Sequence, residues 1–226
     1  MTIVEFGKAS RRQGHEAFVL KLPLQMTILV TVLGPATTDV AAFSQRDLQA
    51  KIEYCKTCHG LYGQGFRGSV PMPRLAGQQT EYLENQLRAF VERRRESRFM
   101  LNVANALSPA MPAALAAHFA DLNPKPLGGA PKELEAAGKK LYEEGVPEAE
   151  IKPCANCHGP DAKGKGASPR LAGQLYDYTL KTMVNWSKER GLDRTKLDKS
   201  VIMEPIVQNL TESQISALAA YLSGLE

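Results

Sequence analysis

The stretch EYCKTCHG, residues 53–60, decides how this chain is read, because two cysteines three positions apart with a histidine directly after the second suit only a few chemistries. Metal capture, dithiol redox chemistry and covalent haem attachment all use cysteine pairs. The same cadence returns as CANCHG at residues 154–159, and the two motifs together hold all 4 cysteines of the 226-residue chain.

The recurrence extends well beyond the cysteines. PRLAGQ occurs at 73–78 and again at 169–174, a displacement of 96, and ALAAHFADL at 114–122 is echoed 103 residues later by ALAAYLSGL at 217–225. Three blocks in one order describe two copies of one domain. Between them DLNPKPLGGAPKE, residues 121–133, carries three prolines and two glycines, which forbid a continuous helix and mark a linker. The expected organisation is an N-terminal domain over 43–122, a linker over 123–131 and a C-terminal domain over 132–226. Domains of this size have a limited apolar core, and a large apolar prosthetic group at the centre of each would add to it.

Helical spacing dominates each copy. In 79–97, Tyr82, Leu83, Leu87 and Phe90 share a face, and in 174–190 Tyr178, Met183 and Trp186 do the same. Thr211 with Gln214 reads as a capping box for the last helix, and Ser108 followed by Pro109 as the corresponding start in the first copy. Strand signals are nearly absent. The Gly- and Pro-rich segments after each CHG, LYGQGFRGSVPMPR and PDAKGKGASPR, read as loops, the first longer by three residues.

C-x-x-C-H is the attachment signal for haem c: both thiols add to the vinyl groups, and the adjacent imidazole is held against the iron. A shared zinc site would unite the two cysteine pairs, but 95 residues separate Cys58 from Cys154 and each pair belongs to its own copy. A thioredoxin-like dithiol expects a βαβ setting, which is not visible. Cys55, Cys58 and His59 are therefore assigned to one haem and Cys154, Cys157 and His158 to a second.

An electron-transfer haem needs a sixth ligand, most often methionine. Met100 and Met203 recur at a displacement of 103, each seven residues before the leucine of a Leu-Ser/Thr pair that starts the last helix. The other methionines do not recur: Met183 answers Leu87, Met72 answers Ser168, and Met111 answers Gln214, so these read as packing residues. His118 aligns with Tyr221 and reads as a surface or interface residue. A ligating imidazole donates its other N–H to a fixed acceptor, and the carbonyls of Pro73 and Pro169 are the expected acceptors. Arg74 and Arg170 are expected partners of the haem propionates, against a reading as solvated charge. The run ERRRESR, 92–98, reads as a solvated helix end, or as a basic landing site or propionate neighbour.

The first 42 residues read as an export leader. A charged stretch precedes the apolar run LPLQMTILVTVL, 22–33, and small residues at Val40 and Ala42 suit cleavage before Phe43. The run is too short and too interrupted for a spanning helix, which favours export to the periplasm over a retained anchor. Beyond it, residues 43–125 carry 11 basic and 7 acidic side chains and residues 126–226 carry 13 and 14, a lopsided distribution that would orient a docking partner. The excess is too small, and too free of aromatic interleaving, for nucleic acid to be a partner.

Together the paired CxxCH motifs, the paired PRLAGQ blocks, the two methionines and the two terminal helices resemble a dihaem class I cytochrome c of the c4 type, over about residues 44–226. The resemblance implies an all-α fold of two tandem cytochrome c-like haem domains joined by the Pro/Gly-containing linker. It implies two covalently bound haem c groups, single-electron transfer between a redox protein donor and acceptor such as a membrane respiratory complex or terminal oxidase, and no small-molecule substrate. The alternatives are a cytochrome subunit of a dehydrogenase complex, or a dihaem enzyme such as a peroxidase or thiosulfate-oxidising cytochrome.

Overall fold

The structure is a computed structural model that describes residues 43–190 and 200–226, so the leader lies outside the described residues. Helices build it, and the extended pairings among the described residues are isolated bridges rather than sheets. In the first copy α1 (Gln45–His59), α2 (Thr80–Val91), α3 (Arg98–Asn105) and α4 (Met111–Ala120) follow one another. In the second, α5 (Glu135–Glu144), α6 (Ala155–His158), α7 (Tyr176–Val184), α8 (Trp186–Glu189), α9 (Ser200–Gln208) and α10 (Glu212–Gly224) repeat the plan with breaks. No described helix is long and apolar enough to cross a membrane.

Local chemistry starts and stops these helices. Ser44 and Asp47 form a capping box at the head of α1, Ser44 Oγ accepting from Asp47 N–H at 3.2 Å and the Asp47 carboxylate accepting from Ser44 N–H at 3.0 Å. Thr211 and Gln214 cap α10 in the same way. Ser108 does not cap α4: the helix begins at Met111 with Ala110 as its N-cap and Pro112 in its first turn, and the Ser108 carbonyl accepts from Met111 N–H at 3.0 Å. Proline lacks an N–H and is tolerated there because the first turn's N–H groups have no helical partner. The helix expected over 79–97 ends early, with α2 stopping at Val91. Arg93 takes a left-handed φ of 56° and turns the chain away.

Each copy buries a small core against its cysteine motif. In the first, Ile52 packs with Met111 and Leu115, and Leu83 with Ala116 and Phe119; Cys55 touches both groups. In the second, Tyr142, Ala162, Ala172, Leu218 and Leu222 form the core, with Cys154 against it. Tyr142 is fully buried, and its hydroxyl donates to the Gly159 carbonyl at 2.5 Å, tying α5 to the turn after the second motif. Helices α5 and α10 cross closely at Gly138, where an added Cβ would collide with the Ala217 carbonyl.

The two copies meet through PRLAGQ. Gln174 Oε1 accepts from Arg74 N–H at 2.8 Å, and Gln174 Nε2 donates to the Arg74 carbonyl at 3.2 Å. Gln78 does the same to Arg170, at 2.7 and 3.0 Å. Each glutamine amide thus pairs with a peptide of the other copy as a neighbouring strand would, and the reciprocity gives the junction approximate two-fold symmetry. A second contact runs from Glu96 N–H to the Glu189 carbonyl at 2.8 Å.

Two stability predictions follow from these contacts. Gln78→Ala and Gln174→Ala each strand a backbone N–H and C=O at the junction and are expected to destabilise the protein by about 1–3 kcal/mol in denaturant unfolding. Gly138→Ala overpacks the helix crossing and should cost about 1–3 kcal/mol or more, read as a lowered Tm in the holoprotein.

Candidate haem sites

The first motif closes α1, which places Cys55 and Cys58 one turn apart on one helical face and His59 at the C-terminal end. The second motif is built on the short α6, with Cys154 as its N-cap residue. Gly60 and Gly159 follow the histidines at φ of 86° and 81°, values that favour glycine, and reverse the chain in both copies. The returning loop is clamped by Gly65 N–H to the His59 carbonyl and Gly164 N–H to the His158 carbonyl, each 2.8 Å.

That reversal delivers a proline carbonyl to each imidazole. His59 Nδ1 lies 2.8 Å from the Pro73 oxygen and His158 Nδ1 lies 2.9 Å from the Pro169 oxygen. A carbonyl can only accept, so Nδ1 carries the hydrogen and donates it. The lone pair of each ring therefore resides on Nε2. Both rings are buried. Burial pushes both imidazoles below their ordinary pKa against the opposing effect of the proline carbonyls, and Arg95 adds to the depression at His59. Neutral rings with a fixed tautomer are what a metal ligand requires.

The thiols are unlike those of a redox dithiol. Burial pushes Cys55 and Cys154 up to about 11, whereas disulfide exchange needs a readily formed thiolate. No cluster of three or more His, Cys, Asp or Glu side chains among the described residues could hold a zinc ion.

A cavity of about 540 Å³ opens between α1 and α3, lined by Tyr54, Cys55, Phe99, Val103 and Leu107. Met100 is the neighbour of Phe99 on α3 and is half-buried, its N–H donating to Ser97 Oγ at 3.3 Å. Met203 lies on α9, also half-buried. His118 is half-buried on α4, edge-on to Phe119, its Nε2 enclosed without a hydrogen-bond partner.

The arginines are not solvated. Arg74 and Arg170 are 3% and 7% exposed at the junction. Arg74 Nε donates to the Ala76 carbonyl at 2.9 Å and Arg170 Nε to the Ala172 carbonyl at 3.0 Å, a repeated fold-back. Burial and the neighbouring Arg170 together pull Arg74 down to about 10. Arg74 Nη1 and Arg170 Nη2 are buried with no hydrogen-bond acceptor. Two adjacent buried cations with orphaned N–H groups call for an anion. In the run 92–98, Arg93, Glu96 and Arg98 are exposed as a solvated helix end would be, but Arg94 is 5% exposed and paired with Glu92 at 2.6 Å. Arg95 instead reaches across to the second copy.

Sequence reasoning singled out Pro73, Arg74, Pro169 and Arg170 but not Gln78 and Gln174, the residues that join the copies. Their recurrence within PRLAGQ was the available signal.

Comparison with known proteins places this architecture. The general cytochrome c family profile matches residues 135–226. Cytochrome c4 of Thiocapsa roseopersicina is 38% identical over 76% of this chain and 86% of its own. The thiosulfate dehydrogenase electron acceptor of Thiomonas intermedia is 32% identical over 89% of this chain and 92% of its own. The solved cytochrome c4 structure of Acidithiobacillus ferrooxidans superposes with a TM-score of 0.64 at 34% identity, covering 76% of this chain and 99% of that one. The fold and its relatives define an all-α, dihaem electron-transfer protein with two covalently bound haem c groups and redox proteins as partners. The chain belongs to the cytochrome c4 family.

Proposed function

We propose that Cys55, Cys58, His59 and Met100 hold one haem and Cys154, Cys157, His158 and Met203 the other, in domains spanning 43–122 and 132–226 joined by the linker 123–131. The observation that carries this reading is the duplicated hydrogen bond from His Nδ1 to a proline carbonyl, which leaves both Nε2 lone pairs available to iron. Haem supplies an iron that takes up and gives back one electron at a time. The cysteine pairs would tether it and the histidine and methionine side chains would ligate its iron, leaving no position for a substrate, so the residue set favours electron transfer over substrate binding. Arg74 Nη1 and Arg170 Nη2 offer their orphaned N–H groups to the propionate carboxylates.

In this reading the leader directs the chain to the periplasm and is removed near Ala42. The electron donor and acceptor are proteins such as a membrane respiratory complex or terminal oxidase. A dehydrogenase is favoured as the donor by the relative named a thiosulfate dehydrogenase electron acceptor, which this chain matches over 92% of its length. Rapid-mixing reduction of the oxidised protein by such an enzyme would support that donor, and no reduction would remove it.

The ligand assignment is tested by the weak near-infrared band of thioether-bound ferric iron. Met100→Ala and Met203→Ala are each expected to remove about half of it and to lower the potential of their own haem. Retention of the full band in either variant overturns the assignment.

A further inference from the structure

Beyond the two haem sites, one cluster of charged and titratable side chains has no role in the reading above. Arg95, after α2, donates from Nη2 to the Tyr178 hydroxyl at 2.7 Å and from Nη1 to Gln86 Oε1 at 2.7 Å. Arg190, at the end of α8, donates from Nη2 to the same Tyr178 hydroxyl at 3.3 Å, and from Nη1 to Gln86 Oε1 at 3.0 Å and the Tyr82 hydroxyl at 3.3 Å. Both guanidiniums are also stacked, Arg95 over Phe90 at 4.6 Å and Arg190 over Trp186 at 4.9 Å. Two cations from the two copies therefore converge on one phenol oxygen.

The cluster is short of negative charge. Arg94 answers Arg190 in the repeat, and Arg94 is neutralised by Glu92 at 2.6 Å. Lys188 stands where Glu92 would recur, so Arg190 loses that partner. Of the other charged groups on the packed elements, Glu189 pairs with Lys181 at 3.6 Å, and the Glu96 and Glu189 backbones bond each other. Neither Arg95 nor Arg190 forms an ion pair with a carboxylate among the described residues. Among the described residues Arg190 Nε is buried with no acceptor.

We propose that the Tyr178 hydroxyl is a redox-linked proton site at the junction of the two copies, ionising to a phenolate held between Arg95 and Arg190. The site takes a proton as its ligand and gives the cytochrome a second function, coupling proton release to electron transfer. Burial is the largest single influence and opposes ionisation of this phenol, but the charges of Arg95 and Arg190 and the hydrogen bonds of Thr182 and Arg95 together offset it and bring the group down from its ordinary 10.0 to about 8. Arg95 also disfavours the cationic form of His59, so the cluster and the first haem site feel one another's charge.

The balance is simple. When the protein gives an electron to its acceptor it gains one positive charge, the O–H bond of Tyr178 breaks, the electron pair stays on Oη, and the proton leaves to solvent. When an electron arrives from the donor, Oη takes a proton back. Linkage is reciprocal: if oxidation favours proton loss, raising the pH must favour oxidation, and the midpoint potential falls as pH rises through the ionisation. The same phenol contributes stability that is present above its unfolded value near 10 and lost as pH falls through about 8.

The test uses the holoprotein with ring-13C-labelled tyrosine, followed by NMR through a pH titration in the ferric and ferrous states. One phenol should ionise near 8 in the ferric protein and at higher pH in the ferrous protein, vanish in Tyr178→Phe and persist in Tyr82→Phe. The pH-dependent fall of the midpoint potential over that range should be lost with it. Arg95→Gln, which keeps the phenol, should move the ionisation back up, and serves if Tyr178→Phe fails to fold. The proposal is overturned if no phenol ionises below about 10, if the signal survives Tyr178→Phe, or if the potential's pH dependence does. The coupling to potential rests on the haem reading, but the phenol titration does not: a colourless protein with an acidic phenol would refute the former alone.

Discussion

Everything in this structure turns on a single hydrogen bond made twice, from a histidine ring to the carbonyl of the first residue of PRLAGQ. It fixes the tautomer and plane of each imidazole. The next residue in the block turns its peptide toward the other copy, and the sixth supplies the amide that reaches across. One segment of six residues thus orients a buried imidazole and builds the junction.

The halves are alike at the CxxCH motifs and their proline carbonyls and unlike around them. The three extra residues of the first loop fall between Phe66 and Met72, which pair as an isolated bridge where Lys165 and Ser168 pair in the second copy. They extend a loop tip that leaves Phe66 and Val70 exposed. Glu92 neutralises Arg94, whereas Lys188 stands in its place in the second copy and Arg190 has no carboxylate partner among the described residues. Repetition preserved the chemistry of attachment and allowed the electrostatics to diverge, and divergent electrostatics is how two similar haems acquire different potentials.

Much of the fold was legible because its signals are local. The cysteine spacing, the Thr211 capping box and the helical periodicity act over a few residues, and duplication gave each a second reading. The proline carbonyls could be named in advance because a ligating histidine needs an acceptor and PRLAGQ lies in the loop after each motif. The failures were of reach. Apolar spacing could not show that α2 stops at Val91, since Arg93 turns the chain there and Arg95 goes on to bond the other copy. Ser108 has the right identity for a cap, but the chain turns once more before α4 begins.

By itself the sequence determined the cofactor class, the number of sites and the tandem plan, because covalent attachment depends on residue types at short spacings that duplication makes unmistakable. Only the tertiary structure decided that Gln78 and Gln174 clasp the opposite copy, that Arg74 and Arg170 are buried side by side, and that Arg95 and Arg190 meet on one phenol. Those pairings join residues as many as 100 positions apart, and nothing in a linear chain says which distant surfaces will be pressed together.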